Sequence, residues 1–181
     1  GTTLLDAVKM LGESKLSQLA IVDNDNRFLG MLSAMSLLSR LLNIGNDAGT
    51  SLTGRRIYTS LNLIKKALDA EDLSMFEPDV QQKFEVYVAA MSGNHFEEHL
   101  PDNNRELAII VGDRPEIHLR ALQRKIRLLI ISGSNSVEPL ILKEALQNDV
   151  SILYTPMDSA TVIRRLKFSV PVEMTQVAVN Q

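Results

Sequence analysis

The sequence predicts an α/β protein, a small α-β-β-α unit followed by a larger domain built on a mainly parallel sheet. Three observations lead there. Toward the C-terminus, three apolar runs, "ELAIIV", "RLLIIS" and "VSILYT", are each followed by an amphipathic segment of helical length: "RPEIHLRALQRKI", "EPLILKEALQND" and "DSATVIRRLKF". Strands separated by such helices lie parallel, with right-handed crossovers and helices covering the sheet. Near the N-terminus the elements alternate faster, as helix, strand, Asn/Asp turn, strand and helix. Between the two regions stands "NIGNDAGTS", a Gly/Asn/Asp/Ser stretch that reads as a domain boundary.

Element by element, Leu4, Leu5, Val8 and Leu11 recur at helical spacing behind Thr2 and Thr3, which can cap the helix, and Gly12 offers a stop. "QLAIVD" and "FLGMLS" are strands joined by the turn letters "NDNR", which makes a hairpin. Ser33 or Ser36 then caps a second helix carrying Leu37, Leu38, Leu41 and Leu42. From Arg55 to Asp72 the spacing of Leu61, Ile64, Ala67 and Leu68 predicts a helix that connects the two units. "KFEVYVAAMS" is the next strand and "NHFEEHL" a short helix or turn. In the first long repeat Asp113 and Glu116 match the capping-box spacing, with Pro115 in the first turn. Ile117, Leu119, Ala121, Leu122 and Ile126 form its apolar arc, which includes His118. Arg120, Gln123, Arg124 and Arg127 form the polar one.

Composition narrows the function. With 181 residues, 45% of them apolar, the chain has enough material for one large core or two small ones. Its formal charge of −3 provides no broad positive field for nucleic acid or an anionic membrane surface. There is no cysteine, hence no disulfide framework and no thiolate nucleophile, and a reducing cytoplasm is the expected location. No apolar run approaches the ~20 residues of a membrane-spanning helix. The chain opens inside a helical pattern, "GTTLLDAVKM", and closes on the strand-like "VPVEMTQVAVNQ", as expected of a piece of a longer protein.

Candidate sites gather at the strand ends. The three parallel strands lead into "GDRPE", "SGSNS" and "TPMD", and ligands of parallel α/β sheets favour that edge. Ser134, Asn135 and Ser136, after Gly133, could present N–H groups and hydroxyls to an anion at a helix N-terminus; the same letters also describe a plain turn and cap. Asp113 and Arg114 could hold a polar ligand, or Arg114 could meet a carboxylate across a subunit interface. The simpler reading is a cap followed by a solvated arginine. His95 and His99 have the i, i+4 spacing of metal ligands, with Glu97, Glu98 and Asp102 nearby. A third ligand at a suitable spacing is missing, so a polar turn is the expectation and no metal is assigned. His118 reads as a packed or interface histidine. There is no Ser-His-Asp order and no H-E-x-x-H, and no catalytic residue is expected in this chain.

Two resemblances converge on these elements. Residues 1–45, "TTLLDAVKMLGESKLSQLAIVDNDNRFLGMLSAMSLLSRLL" at their heart, resemble a cystathionine-β-synthase (CBS) repeat that lacks its first strand. Residues 72–169, through "VGDRPEIHLRALQRKIRLLIISGSNSV" and "YTPMDSATVIRRL", resemble a DRTGG domain, a three-layer α/β unit, although those five letters are absent. Residues 46–71 would be a helical linker, and 170–181, from "SVPVEMT", the start of a second CBS repeat or a tail. This order resembles the regulatory insert of family II, manganese-dependent inorganic pyrophosphatases.

That resemblance implies a non-catalytic module which senses AMP, ADP or ATP through paired CBS repeats. It would form a homodimer through its DRTGG domain and tune a Mn- or Co-dependent catalytic core in the same polypeptide. Thr2, Thr3, Ser33 and Ser36 are the nucleotide-contacting positions it implies. The family pattern after the hairpin is Gly, two apolar residues, Thr or Ser, two variable residues and Asp, the Asp holding ribose hydroxyls. Here the run is Gly30 to Ser36, so Ser33 fits and Ser36 stands in place of the Asp. A serine offers a neutral hydrogen bond of about 0.5–1.5 kcal/mol where a carboxylate would give a charge-assisted one. Two other readings remain: a CBS/DRTGG module of another enzyme or transcription regulator, phosphotransacetylase-like or thioesterase-linked, and a free-standing enzyme using the "SGSNS" edge.

Overall fold

The computed structural model describes residues 2–41, 56–89, 100, 103–133 and 136–171. Within them the chain runs through α1 (Leu4–Ser14), β1 (Gln18–Val22), β2 (Phe28–Ser33), α2 (Ala34–Leu41), β3 (Arg56–Thr59), α3 (Leu61–Leu68), β4 (Glu71–Ser74) and β5 (Gln82–Val88). A 3-10 turn (Asn104–Glu106) then precedes β6 (Leu107–Val111), α4 (Pro115–Gln123), β7 (Leu128–Ser132), α5 (Pro139–Gln147), β8 (Ser151–Thr155) and α6 (Ser159–Leu166). The predicted boundary loop and "NHFEEHL" up to His99 lie outside the described residues, as does the chain after Pro171.

The apolar runs become the centre of a six-stranded sheet ordered β3-β5-β6-β7-β8-β4. β5 to β8 pair parallel, as predicted from the intervening helices. Alternate side chains of a strand point to opposite faces, and here both faces are dry. Ala108, Ile110, Leu128, Ile130 and Leu153 meet Leu61, Ile64 and Leu68 of α3 and Val162 and Leu166 of α6. Ile109, Val111, Leu129, Ile131 and Ile152 meet Ile117, Ala121 and Leu122 of α4 and Ile141 and Ala145 of α5. The result is the expected three-layer arrangement.

The segment from Arg55 to Asp72 differs from its helical reading. Leu61, Ile64, Ala67 and Leu68 do form the buried stripe of α3, but the helix is flanked by two strands. β3 joins β5 and β4 joins β8, both antiparallel, as the sheet's edges. β3 alternates exposed and buried residues, with Ile57 and Thr59 turned inward, a two-residue period too short to register beside the strong helical stripe. Ser60 separates the elements by capping α3, its Oγ accepting the Leu63 N–H at 3.3 Å, and Asp69 ends the helix at φ 48°.

The N-terminal unit forms the predicted antiparallel hairpin between its two helices. Asp23 Oδ1 accepts the N–H groups of Asp25 at 2.9 Å and Arg27 at 2.8 Å, which closes the turn. Gly12 does not stop α1. The helix continues to Ser14, and Lys15 supplies the left-handed cap at φ 52°. Leu4, Ala7 and Leu11 of α1, Ile21, Leu32 and Leu37 share one continuous core with the α3/α6 face of the sheet. Two backbone bonds join the units, from Leu4 N–H to the Val170 carbonyl at 3.0 Å and from Leu5 N–H to the Phe168 carbonyl at 3.2 Å. Thr3 also bridges Pro171. Burying a leucine is worth about 1.5–3 kcal/mol, whereas an exposed ion pair such as Lys66–Asp6, at 2.7 Å, is worth about 0.2–1 kcal/mol. Apolar burial therefore holds the unit to the sheet, and the ion pair adjusts the seam.

Candidate functional site

Helix α1 crosses one face of the hairpin, and between them lies a cleft of about 160 Å³. Ala7 and Met10 of α1 form one side, β1 from Leu19 to Val22 with Leu32 of β2 form the other, and Thr2 completes the wall. The lining is apolar apart from Thr2, which suits a flat, weakly polar group. The hairpin also leaves apolar side chains on its exposed face. Val22 is 45% exposed and pairs with Phe28 at 61%, while Met31 is 38% exposed. The sequence reading did not name these hairpin residues, because alternation over five or six residues shows that a strand has two faces but not which one stays open.

The four predicted nucleotide contacts are divided by the structure. Thr2 is exposed and on the cleft. Thr3 is 1% exposed and caps α1: its N–H and Oγ–H donate to Asp6 Oδ2 at 2.9 Å each, and its Oγ accepts the Asp6 N–H at 3.2 Å. Ser33 and Ser36 form the same motif on α2 and are not part of the cleft wall. Ser36 N–H donates to Ser33 Oγ at 3.0 Å, Ser33 N–H donates to Ser36 Oγ at 3.1 Å, and Ser36 Oγ–H donates to the Ser33 carbonyl at 2.8 Å. Ser33 is therefore the cap. Ser33→Ala is expected to cost about 1 kcal/mol, readable as a lower urea midpoint with an unchanged slope.

Asp6 ties this unit to the sheet domain through Lys66 Nζ at 2.7 Å. Burial works against its charge, but the hydrogen bonds from Lys66 and Thr3 together outweigh it and hold the carboxyl below its usual range. No local pattern marks this pair, since its members are sixty residues apart.

The C-terminal edge of the parallel strands is where Asp113, Arg114 and Ser136 lie. Ser134 and Asn135 fall outside the described residues, as do His95 and His99. Asp113 is not the cap of α4. Arg114 occupies that position without a side-chain cap bond, because Pro115 takes the first helical place and leaves Asp113 one residue too early. Arg114 Nη1 donates to the Ala89 carbonyl at 3.3 Å. His118, 5% exposed, must carry its proton on Nε2, which donates to the Gly112 carbonyl at 2.8 Å. Burial pushes its pKa down, against smaller opposing contributions from Gly112, Asp113 and Glu138. It faces the core of its own chain. Ser132 and Ser159 share a hydrogen bond at 2.8 Å, and Ser132 Oγ–H also reaches the Val111 carbonyl at 3.3 Å. Much of the polar capacity at this edge is thus satisfied internally. Among the described residues no group of His, Cys, Asp and Glu is placed to hold a metal ion.

With this geometry in place, comparison with known proteins is informative. A family model described as "DRTGG domain" matches residues 63–169, and one described as "CBS domain" matches residues 1–43. The chain is 28% identical over 167 residues to the cobalt-dependent inorganic pyrophosphatase of Clostridium perfringens; the match covers 92% of this chain and 29% of that relative's length. It also matches a crystal structure of the CBS and DRTGG domains of the regulatory region of Clostridium perfringens pyrophosphatase, complexed with the activator diadenosine tetraphosphate. The TM-score is 0.84 at 27% identity, covering 99% of this chain and 75% of that one.

Proposed function

Because the chain belongs to the DRTGG-domain family and carries a CBS domain before that domain, we propose that it is a regulatory region of an inorganic pyrophosphatase, sensing adenine nucleotides. The observation that carries this reading is the match along nearly the whole chain to a pyrophosphatase regulatory region bound to a dinucleotide activator. The apolar cleft beside Thr2 supports it, being suited to an adenine ring. A nucleotide shifts the enzyme only as far as it prefers one arrangement of the CBS unit over another. The seam made by Leu4, Asp6 and Lys66 is the route by which such a preference reaches the sheet domain.

Catalysis on this reading belongs to another part of the polypeptide. The relative is named for cobalt rather than manganese, so the proposed catalytic part uses a transition metal for which cobalt is the better-supported choice. No described helix is long and apolar enough to cross a membrane, and the absence of cysteine agrees with a cytoplasmic role. Self-association through the DRTGG domain is part of the proposal. His118 no longer supports it, since that side chain is turned inward. The exposed pair Val22 and Phe28, with Met31, gives the hairpin an apolar face on which a second CBS repeat would pack.

Calorimetric titration with AMP, ADP, ATP and diadenosine tetraphosphate, beside the solution mass by light scattering, tests both halves. Saturable binding with a dimeric mass is expected. A flat titration for all four nucleotides would remove the sensing role from this chain, and a monomeric mass at ~50 μM would remove the assembly role, since an interface of ordinary affinity is filled at that concentration.

A further inference from the structure

The opposite edge of the parallel sheet, where β5 to β8 begin, carries a second cleft of about 380 Å³. Phe76 and Glu77 follow β4, Gln82 opens β5, Arg105 lies in the 3-10 turn before β6, Arg127 immediately precedes β7, and Asp149 precedes β8. Nothing in the sequence reading pointed here. Helical spacing assigns Arg127 to the polar arc of the helix, yet α4 ends before it and the residue is only 5% exposed. Its backbone is anchored by bonds from its N–H to the Asn104 and Leu107 carbonyls, both at 3.1 Å.

The guanidinium of Arg127 is only partly satisfied. Nη2 donates to the Phe76 carbonyl at 3.0 Å and the Glu77 carbonyl at 3.5 Å, and lies 3.4 Å from Glu77 Oε2. Its Nε–H is buried with no partner among the described residues, and so is the Nε2 amide of Gln82. Buried N–H groups almost always have an acceptor. Two unmatched donors bordering the same cleft call for acceptor oxygens that the described residues do not supply. Arg105 adds a second guanidinium and makes no ion pair among the described residues. The carboxylates belong to the rim, Glu77 having a 70% exposed side chain and Asp149 being exposed.

We propose that this cleft binds a small molecule through an oxyanion group, a carboxylate or a phosphate, which accepts from Arg127 Nε–H and Gln82 Nε2–H while Arg105 supplies a second positive charge. An oxyanion on fixed guanidinium donors gains charge-assisted bonds that water there would not match. The two rim carboxylates disfavour long polyphosphates, so the ligand class is a compact anion whose outer end is neutral or cationic. This separates the cleft in chemistry as well as position from the one beside α1.

The test follows the Arg127 Nε–H and Gln82 side-chain NH2 signals of the ¹⁵N-labelled chain by NMR during separate titrations with inorganic phosphate and with β-alanine, a carboxylate whose outer end is cationic. Saturable shifts in both signals are expected. A response to phosphate alone assigns the phosphate class, to β-alanine alone the carboxylate class, and to both a general oxyanion site. Arg127→Ala risks the fold, so the variants are Arg105→Gln, on the surface, and Gln82→Leu, which conserves volume. Each is expected to weaken binding about fivefold to tenfold, the loss of one charge-assisted or buried hydrogen bond. No saturable shift with either anion would overturn the proposal, and so would wild-type affinity in both variants.

Discussion

Replacing Ser36 by Asp is expected to tighten the binding of AMP to the chain about tenfold. Ser36 is the third residue of α2, where it accepts the Ser33 N–H and donates to the Ser33 carbonyl. The chain already shows that an aspartate fits this place, because Asp6 stands at the same position of α1 and accepts the N–H and hydroxyl of Thr3. An acidic side chain in a first helical turn is also favoured by the helix dipole. Ser36→Asp should therefore fold normally. The pattern of CBS repeats has Asp at this position facing ribose hydroxyls, and a charge-assisted bond exceeds a neutral one by about 1–1.5 kcal/mol, which is roughly tenfold in affinity. Calorimetry on the parent, Ser36→Asp and the neutral control Ser36→Asn decides it. The control should stay near the parent, and an unchanged constant in the aspartate variant would take this position out of the ribose site.

Asp6→Ala is expected to destabilise the chain by about 2–3 kcal/mol, and Lys66→Ala by less than 1 kcal/mol. The asymmetry follows from burial. Losing the carboxylate strands the N–H and hydroxyl of Thr3, which is 1% exposed, at the junction with Pro171, whereas losing Lys66 releases a side chain that is already 57% exposed. Urea unfolding of the two variants reads the difference directly, and equal losses would mean that the ion pair rather than the buried cap holds this seam. The pH dependence has a definite sign. The Asp6 carboxyl is held below its ordinary value of 3.8 in the folded chain, so its stabilisation is fully present above that value. It is lost as pH falls through the lower folded value. The parent and Asp6→Ala stability curves should converge in acid and separate on the neutral side.

The CBS and DRTGG resemblance, the parallel order of β5 to β8, the hairpin and the Thr3 cap were all legible in the sequence, because each rests on local information: unbroken apolar runs, helical spacing, turn letters, or a cap two or three residues from its partner. The same locality explains the misreadings. Asp113 had the right spacing for a cap, but Pro115 moved the helix start. Gly12 looked like a stop, yet two more residues continue the helix before Lys15 turns the chain. The edge strands beside α3 were hidden, since four residues carry less signal than a full amphipathic stripe and gain their hydrogen bonds from strands far along the chain.

By itself, then, the sequence determined which segments are strands buried on both sides, which helices cover them and which family they resemble. Tertiary structure alone decided what depends on partners distant in sequence: the pairing of Asp6 with Lys66, the docking of the hairpin unit on the α3/α6 face, the inward turn of His118 and the burial of Arg127. The physical reason is that periodicity reports which side of an element avoids water. Only the folded chain reports which polar group that side brings with it, and whether anything in the protein is there to meet it.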